Sequence, residues 1–299
     1  MRKKLYHRQK IFLSLLQAFE KPLASVDFQK YLFLYTQEFQ TEPSYDFVPY
    51  KYGCFSFQSY EDKRRLIEFG YLANSEKNKI QNEDDDFIGA LEIGEQQKIL
   101  EFKNKYEKLS GTSLVEHIYK NYPYYAINSE IAQKVLADDE FDRVNSARPS
   151  QDEYKFFTIG YEGASIENYL NRLIKNNIKV LCDVRRNPYS RKYGFSRGSL
   201  KTFVENLGIK YMHFPQLGIS SEKRTVLETQ DDYDELFKHY ERTTLKSETE
   251  CLNKITSTLK KYKRIAITCF EAHVCQCHRS RVAEALTLLP EWEYQTEHI

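Results

Sequence analysis

The chain has 299 residues, 41% hydrophobic and 29% charged, a composition that supports packed cores, excludes intrinsic disorder and suits two domains of ordinary size. Its formal net charge of +1 excludes a global electrostatic pull toward nucleic acid, so binding of that kind needs a local basic face. No stretch approaches the roughly 20 apolar residues that span a bilayer, so no membrane partner is expected.

The opening MRKKLYHRQKIFLSLLQAFEK is basic and then apolar, like a secretory leader. Its apolar run is broken by Gln17 and Glu20, and no small-residue cleavage site follows, so an amphipathic helix explains it better. Ile11, Leu13, Leu15, Leu16 and Phe19 form its apolar face. A second helix is expected around Phe28, Leu32, Phe33 and Tyr35. Pro49 and Gly53 then break an aromatic stretch, YDFVPYKYGCFS. A helix resumes through Tyr60, Leu66 and Ile67 and ends at Gly70. NSEKNKIQNEDDDF reads as a polar loop or hairpin, and a further helix is stopped by Pro123. Charged, aperiodic ADDEFDRVNSARPSQDEYK, with Pro149, is the linker candidate. The domains expected are therefore 1–137, mainly helical, and 154–299, joined by 138–153.

From Phe156 onward strands and helices alternate. FFTIGY, KVLCDV, IKYMHFP and KRIAITCF read as strands; SIENYLNRLIKNNI (with Ser165 as N-cap), SRGSLKTFVENLG, ECLNKITSTLKKY and HRSRVAEALTLL read as helices. This pattern predicts an α/β domain with a mostly parallel sheet flanked by helices, preceded by a mainly α-helical domain.

In such sheets ligands bind beyond the carboxyl ends of strands. Three places qualify: Gly160-Tyr161-Glu162-Gly163, Asp183 to Pro188, and Cys269 to Arg281. Arg279 and Arg281, near a helix start, oppose the helix dipole, which suggests a negative group supplied by Asp183, by Glu271 or from outside. A plain Arg279–Asp183 pair is the structural alternative. Asp183 and Glu271 are candidate general acid or base groups, and His278 a proton shuttle. Cys269, at a strand end, and Cys277, at a helix entry, are candidate thiolates. Gly160, Tyr161, Arg185, Ser190, Arg279 and Arg281 are the candidate anion- or substrate-binding residues. C-x5-C-x-C-H does not match paired zinc-ligand spacing and Cys54, Cys182 and Cys251 stand alone, so no metal ligand and no cofactor is assigned. The six cysteines do not form a disulfide framework, and a cytoplasmic chain with reduced thiols is expected.

TIGYEG, CDVRRNPYSRKYGFS, YMHFPQLGI and CFEAHVCQCHRSRVAEAL together resemble the family called domain of unknown function 488, over roughly residues 155–290. The resemblance implies a site drawn from Gly160, Asp183, Arg185, Pro188, Ser190, Leu217, Gly218, Cys269, Glu271, Cys277, His278 and Arg279, with no settled reaction. FQKYLFLYTQE, YDFVPYKYGCFSFQSYEDKRRLIEFGYL and VEHIYKNYPYYAINSE are similar to winged-helix-like domains related to SocA-type antitoxins (Panacea domains). That similarity implies a protein or nucleic-acid partner for the first domain. Lys51, Lys63, Arg64 and Arg65 there are a candidate basic patch, diluted by Glu61, Asp62 and Glu68; a solvated charged face is the plainer reading.

Three function classes follow, in order. The first is binding or processing of a nucleotide or nucleic acid at the Asp/Arg/Cys/Glu-lined site. The second is a thiol enzyme of rhodanese- or phosphatase-like type. The third is a non-catalytic, antitoxin-like regulator or adaptor.

Overall fold

A computed structural model describes residues 3–220, 229–290 and 292–299. The chain divides into two compact units, 1–148 and 149–299.

In the first unit the helices are α1 (His7–Ala18), α2 (Ser25–Phe39), α3 (Phe57–Glu68), α4 (Ile93–Tyr106), α5 (Gly111–Asn121), α6 (Ala132–Val135) and α7 (Asp138–Ser146). Between α2 and α3 lies an antiparallel hairpin of β1 (Val48–Tyr50) and β2 (Gly53–Phe55). Its turn is the Lys-Tyr-Gly stretch, and Gly53 takes φ +88°, where a Cβ would also meet the Tyr119 ring at 2.5 Å. Helix α2 is the centre of this unit: Tyr31, Leu32, Phe33, Leu34 and Tyr35 are all buried. Aromatic rings pack around it, with Phe19 stacked on Tyr31 at 4.3 Å and Phe33 edge-on to Phe47 at 5.2 Å.

The segment expected to link the units is partly helical. Asp138, Asp139 and Glu140 fill the first turn of α7, where acidic side chains favour the helix dipole, and Val144 is buried beneath it. The division between units falls after Arg148, directly before Pro149. Local charge density hid a helix whose single apolar anchor is too sparse to register as periodicity.

The second unit is a five-stranded sheet in the order β5-β4-β6-β3-β7, made of β3 (Lys155–Gly160), β4 (Val180–Asp183), β5 (Lys210–His213), β6 (Arg264–Cys269) and β7 (Thr296–His298). Every neighbouring pair is parallel. The inner strands are apolar on both faces, as helix-covered parallel strands must be. The helices are α8 (Ile166–Lys175), α9 (Arg197–Asn206), α10 (Gln230–Tyr240), α11 (Thr249–Tyr262) and α12 (His278–Thr287). Ser165 caps α8, its side chain accepting the Asn168 amide at 3.0 Å. Val180, Cys182, Ile265 and Ile267 of the sheet share one core with Leu252, Ile255 and Leu259 of α11 and Val282 and Leu286 of α12. Each such side chain contributes about 1.5–3 kcal/mol when fully buried. The edge strand β7 and the helix α10 add to the elements read from periodicity. No described helix is long and apolar enough to cross a membrane.

Candidate functional site

Because the strands are parallel, β3, β4 and β6 deliver their carboxyl ends to one rim. There Gly160 pairs with Cys269, and Asp183 with Thr268. The loops after β3 and β6 are joined by backbone bonds: Tyr161 and Glu162 donate their amides to the Phe270 carbonyl at 3.1 and 2.9 Å. The Glu162 carboxylate accepts the Ala272 amide at 3.0 Å. Gly160 is required by this approach, since a Cβ there would lie 2.0 Å from the Glu271 carbonyl oxygen.

At the end of β4, Asp183 and Arg185 form a buried pair. Oδ1 of Asp183 accepts the Arg185 amide at 3.0 Å and Nε at 2.8 Å; Oδ2 accepts Nη2 at 2.6 Å and the Tyr211 hydroxyl at 2.6 Å. The four acceptor positions of the carboxylate are thereby filled. Nη1 of Arg185 reaches the Tyr161 hydroxyl and the Phe195 carbonyl, both at 2.8 Å. Burial, and then Asp183, push the Tyr211 hydroxyl far above its ordinary range. Asp183, Arg185 and Tyr161 are thus spent on holding β3, β4, β5 and the loop before α9 together. This geometry leaves Asp183 no lone pair for a proton from substrate.

Arg279 does not pair with Asp183. It is buried, and its guanidinium donates to the carbonyls of Glu271 and, at 2.9 Å, Ala272, while Nε finds no partner among the described residues. Its place against the helix dipole is explained by the neighbouring loop, whose carbonyls supply the negative partners. Arg281 is half-buried, paired with Glu284 at 2.9 Å and Glu241 at 3.4 Å. Ser190 closes its loop: its amide donates to Ser196 Oγ at 3.1 Å, and that hydroxyl donates back to the Ser190 carbonyl at 2.8 Å.

The remaining candidates converge. Cys269 ends β6, Glu271 follows in the loop, Cys277 precedes α12 and His278 opens it. One side-chain donor atom from each lies within 4.8 Å of the others. Sγ of Cys269 is 3.2 Å from Glu271 Oε2 and 3.5 Å from His278 Nδ1. Nε2 of His278 is 3.1 Å from the Val184 carbonyl. Cys269, Cys277 and His278 are buried and Glu271 is half-buried, while Cys275 is exposed outside the group. Burial pushes the Cys277 thiol well above its ordinary range, with Cys269 and Glu271 adding to the rise and Arg279 opposing it. A helix entry beside an arginine suggested a lowered value; desolvation outweighs both influences.

In the loop between β4 and α9, the sequence points to Asp183–Pro188 and to Arg185 and Ser190, but assigns no role to the loop's other arginines. From Val184 to Val204 there are six cations and no carboxylate. Arg186, Arg191 and Arg197 are exposed and make no ion pair among the described residues, and Tyr189 beside them is 75% exposed. The signal was present as a carboxylate-free run. The candidate basic patch of the first unit is largely neutralised: Arg64 and Arg65 pair with Glu61 at 2.7 and 3.0 Å. Asp62 is buried, holding Arg8 at 2.6 Å.

None of the curated proteins or solved structures compared with the chain matches it. Residues 165–286, in the C-terminal half of the chain, match the family model described as domain of unknown function DUF488.

Proposed function

We propose that the second unit binds single-stranded nucleic acid along the rim formed by the loop between β4 and α9 and the loop after β6. The observation that carries this reading is the carboxylate-free run 184–204, which presents Arg186, Arg191 and Arg197 to solvent beside exposed Tyr189. Cations that follow a phosphate backbone, interleaved with rings on which bases stack, are the means by which proteins hold single strands. Phe270, 42% exposed, extends the aromatic surface toward the Cys269/Glu271/Cys277/His278 group. With a net charge of +1, the attraction is local rather than global.

The test is fluorescence anisotropy with a short labelled single-stranded oligonucleotide over a range of salt. Wild type binds, and affinity falls with salt. The triple variant Arg186→Ala, Arg191→Ala, Arg197→Ala binds more weakly, and the slope of log affinity against log salt flattens by about 2, near 0.7 per lost phosphate contact. A triple variant that binds like wild type with an unchanged slope sinks the proposal. So does wild type that binds no oligonucleotide.

A further inference from the structure

We infer that Cys269, Glu271, Cys277 and His278 form a binding site for one thiophilic divalent cation of the zinc class. Two thiolates and an imidazole make its buried base, and the Glu271 carboxylate is its solvent-facing fourth ligand. The inference is independent of nucleic-acid binding.

Three features of the group point this way. The first is its size. In a tetrahedral zinc site the donor atoms stand roughly 3.3–3.8 Å apart, given metal–ligand bonds of about 2.0–2.3 Å. Cys269 Sγ already lies 3.2 Å from Glu271 Oε2 and 3.5 Å from His278 Nδ1, and no distance in the group exceeds 4.8 Å. Contraction by rotation about side-chain bonds closes the remainder.

The second is the orientation of His278. The Val184 carbonyl can only accept, so Nε2, 3.1 Å away, carries the proton of the neutral ring. The lone pair is then on Nδ1, which faces Cys269 Sγ. An imidazole fixed through its far nitrogen by a backbone carbonyl is the usual support of a metal-bound histidine.

The third is charge. Two thiolates and a carboxylate carry three negative charges, and a divalent cation reduces the total to one. The buried Arg279 guanidinium, bonded to the Glu271 carbonyl, supplies the matching positive charge. Thiolate and imidazole ligands in a small, largely buried site favour zinc over magnesium or calcium, which take oxygen.

Zinc-ligand pairs spaced C-x2-C sit together on one tight turn. Here the ligands come from two elements: a strand end with its following loop, and a helix start. The parallel sheet brings these side by side, and the loop carbonyls held by Arg279 keep Glu271 near Cys269.

The experiment uses the full chain, stripped of metal under reducing conditions and titrated with cobalt(II) and then zinc(II). The expected result is one cobalt per chain, with thiolate-to-cobalt charge transfer and the strong visible bands of tetrahedral cobalt, displaced by zinc. Cys275→Ser keeps these bands. Cys277→Ser and His278→Ala lose them, and Glu271→Gln keeps the charge transfer while shifting the visible bands. Should Cys277→Ser fail to fold, the Cys275→Ser and Glu271→Gln spectra still decide the matter. Wild type that takes up no cobalt with all six thiols reduced overturns the inference. So do bands that persist in a folded Cys277→Ser or vanish in Cys275→Ser. Cobalt uptake and oligonucleotide binding are separate readouts, so failure of one leaves the other standing.

Discussion

Asp183 grips Arg185 through both carboxylate oxygens, two residues further along the same chain, at the point where β4 leaves the sheet. Both side chains are nearly sealed from solvent, at 0% and 6% exposure. The pair receives Tyr211 from β5 and reaches Tyr161 after β3, so three strand ends are tied through one ion pair.

Removing one charge of this pair leaves the other buried and uncompensated. Asp183→Asn is expected to destabilise the second unit by about 3–5 kcal/mol. The double variant Asp183→Leu, Arg185→Met recovers part of that loss, because an apolar pair avoids the desolvation penalty. Denaturant titration of the three proteins checks this. A loss below about 1 kcal/mol in Asp183→Asn would mean that the pair contributes no more than an exposed one.

Gly160 allows β3 to pass against the Glu271 carbonyl, so Gly160→Ala forces two backbones apart. The expected cost is about 1–3 kcal/mol, the usual range for overpacking a tight site. Since the backbone displaced is that of Glu271, cobalt affinity should fall in the same variant. Chemical denaturation and cobalt titration measure the two effects, and full stability with unchanged affinity would rule out the tight approach as a requirement.

Glu38, at the end of α2, gives the first unit an acid-sensitive contact. Burial raises its pKa, but Lys105, Tyr106 and Tyr122 outweigh burial with hydrogen bonds at 2.6, 2.6 and 3.0 Å, and the net value is lowered from the ordinary 4.5. A carboxylate with a depressed folded-state pKa contributes stability that is present above its unfolded value and is lost as pH falls through the folded one. Glu38→Gln should therefore melt lower than wild type near neutrality. The gap should close as pH falls from about 5 toward 3. Melting curves across that range decide it; a gap independent of pH would assign the effect to packing instead.

Much of the fold is legible from local pattern. FFTIG, VLC and RIAIT are apolar on both faces and so belong to a covered parallel sheet, and Ser165 starts α8 as a capping residue does. Parallel strands also place Gly160, Asp183 and Cys269 at one rim before any coordinate is known. The Asp183–Arg185 pair is not read from the sequence, where the partner considered for Asp183 is Arg279.

Tertiary structure decided what those residues do there. Arg279 is satisfied by the carbonyls of Glu271 and Ala272, and backbone acceptors carry no mark in a sequence. The saturation of Asp183 depends on Tyr211, 28 residues away. Cys269 and Glu271 meet Cys277 and His278 because a strand end and a helix start are packed together, a distance that ligand spacing along the chain does not encode. Periodicity and capping are set by neighbours within a few bonds, so sequence reports them directly. Partner choice, burial and the electrostatics that follow depend on which distant segments the core brings into contact.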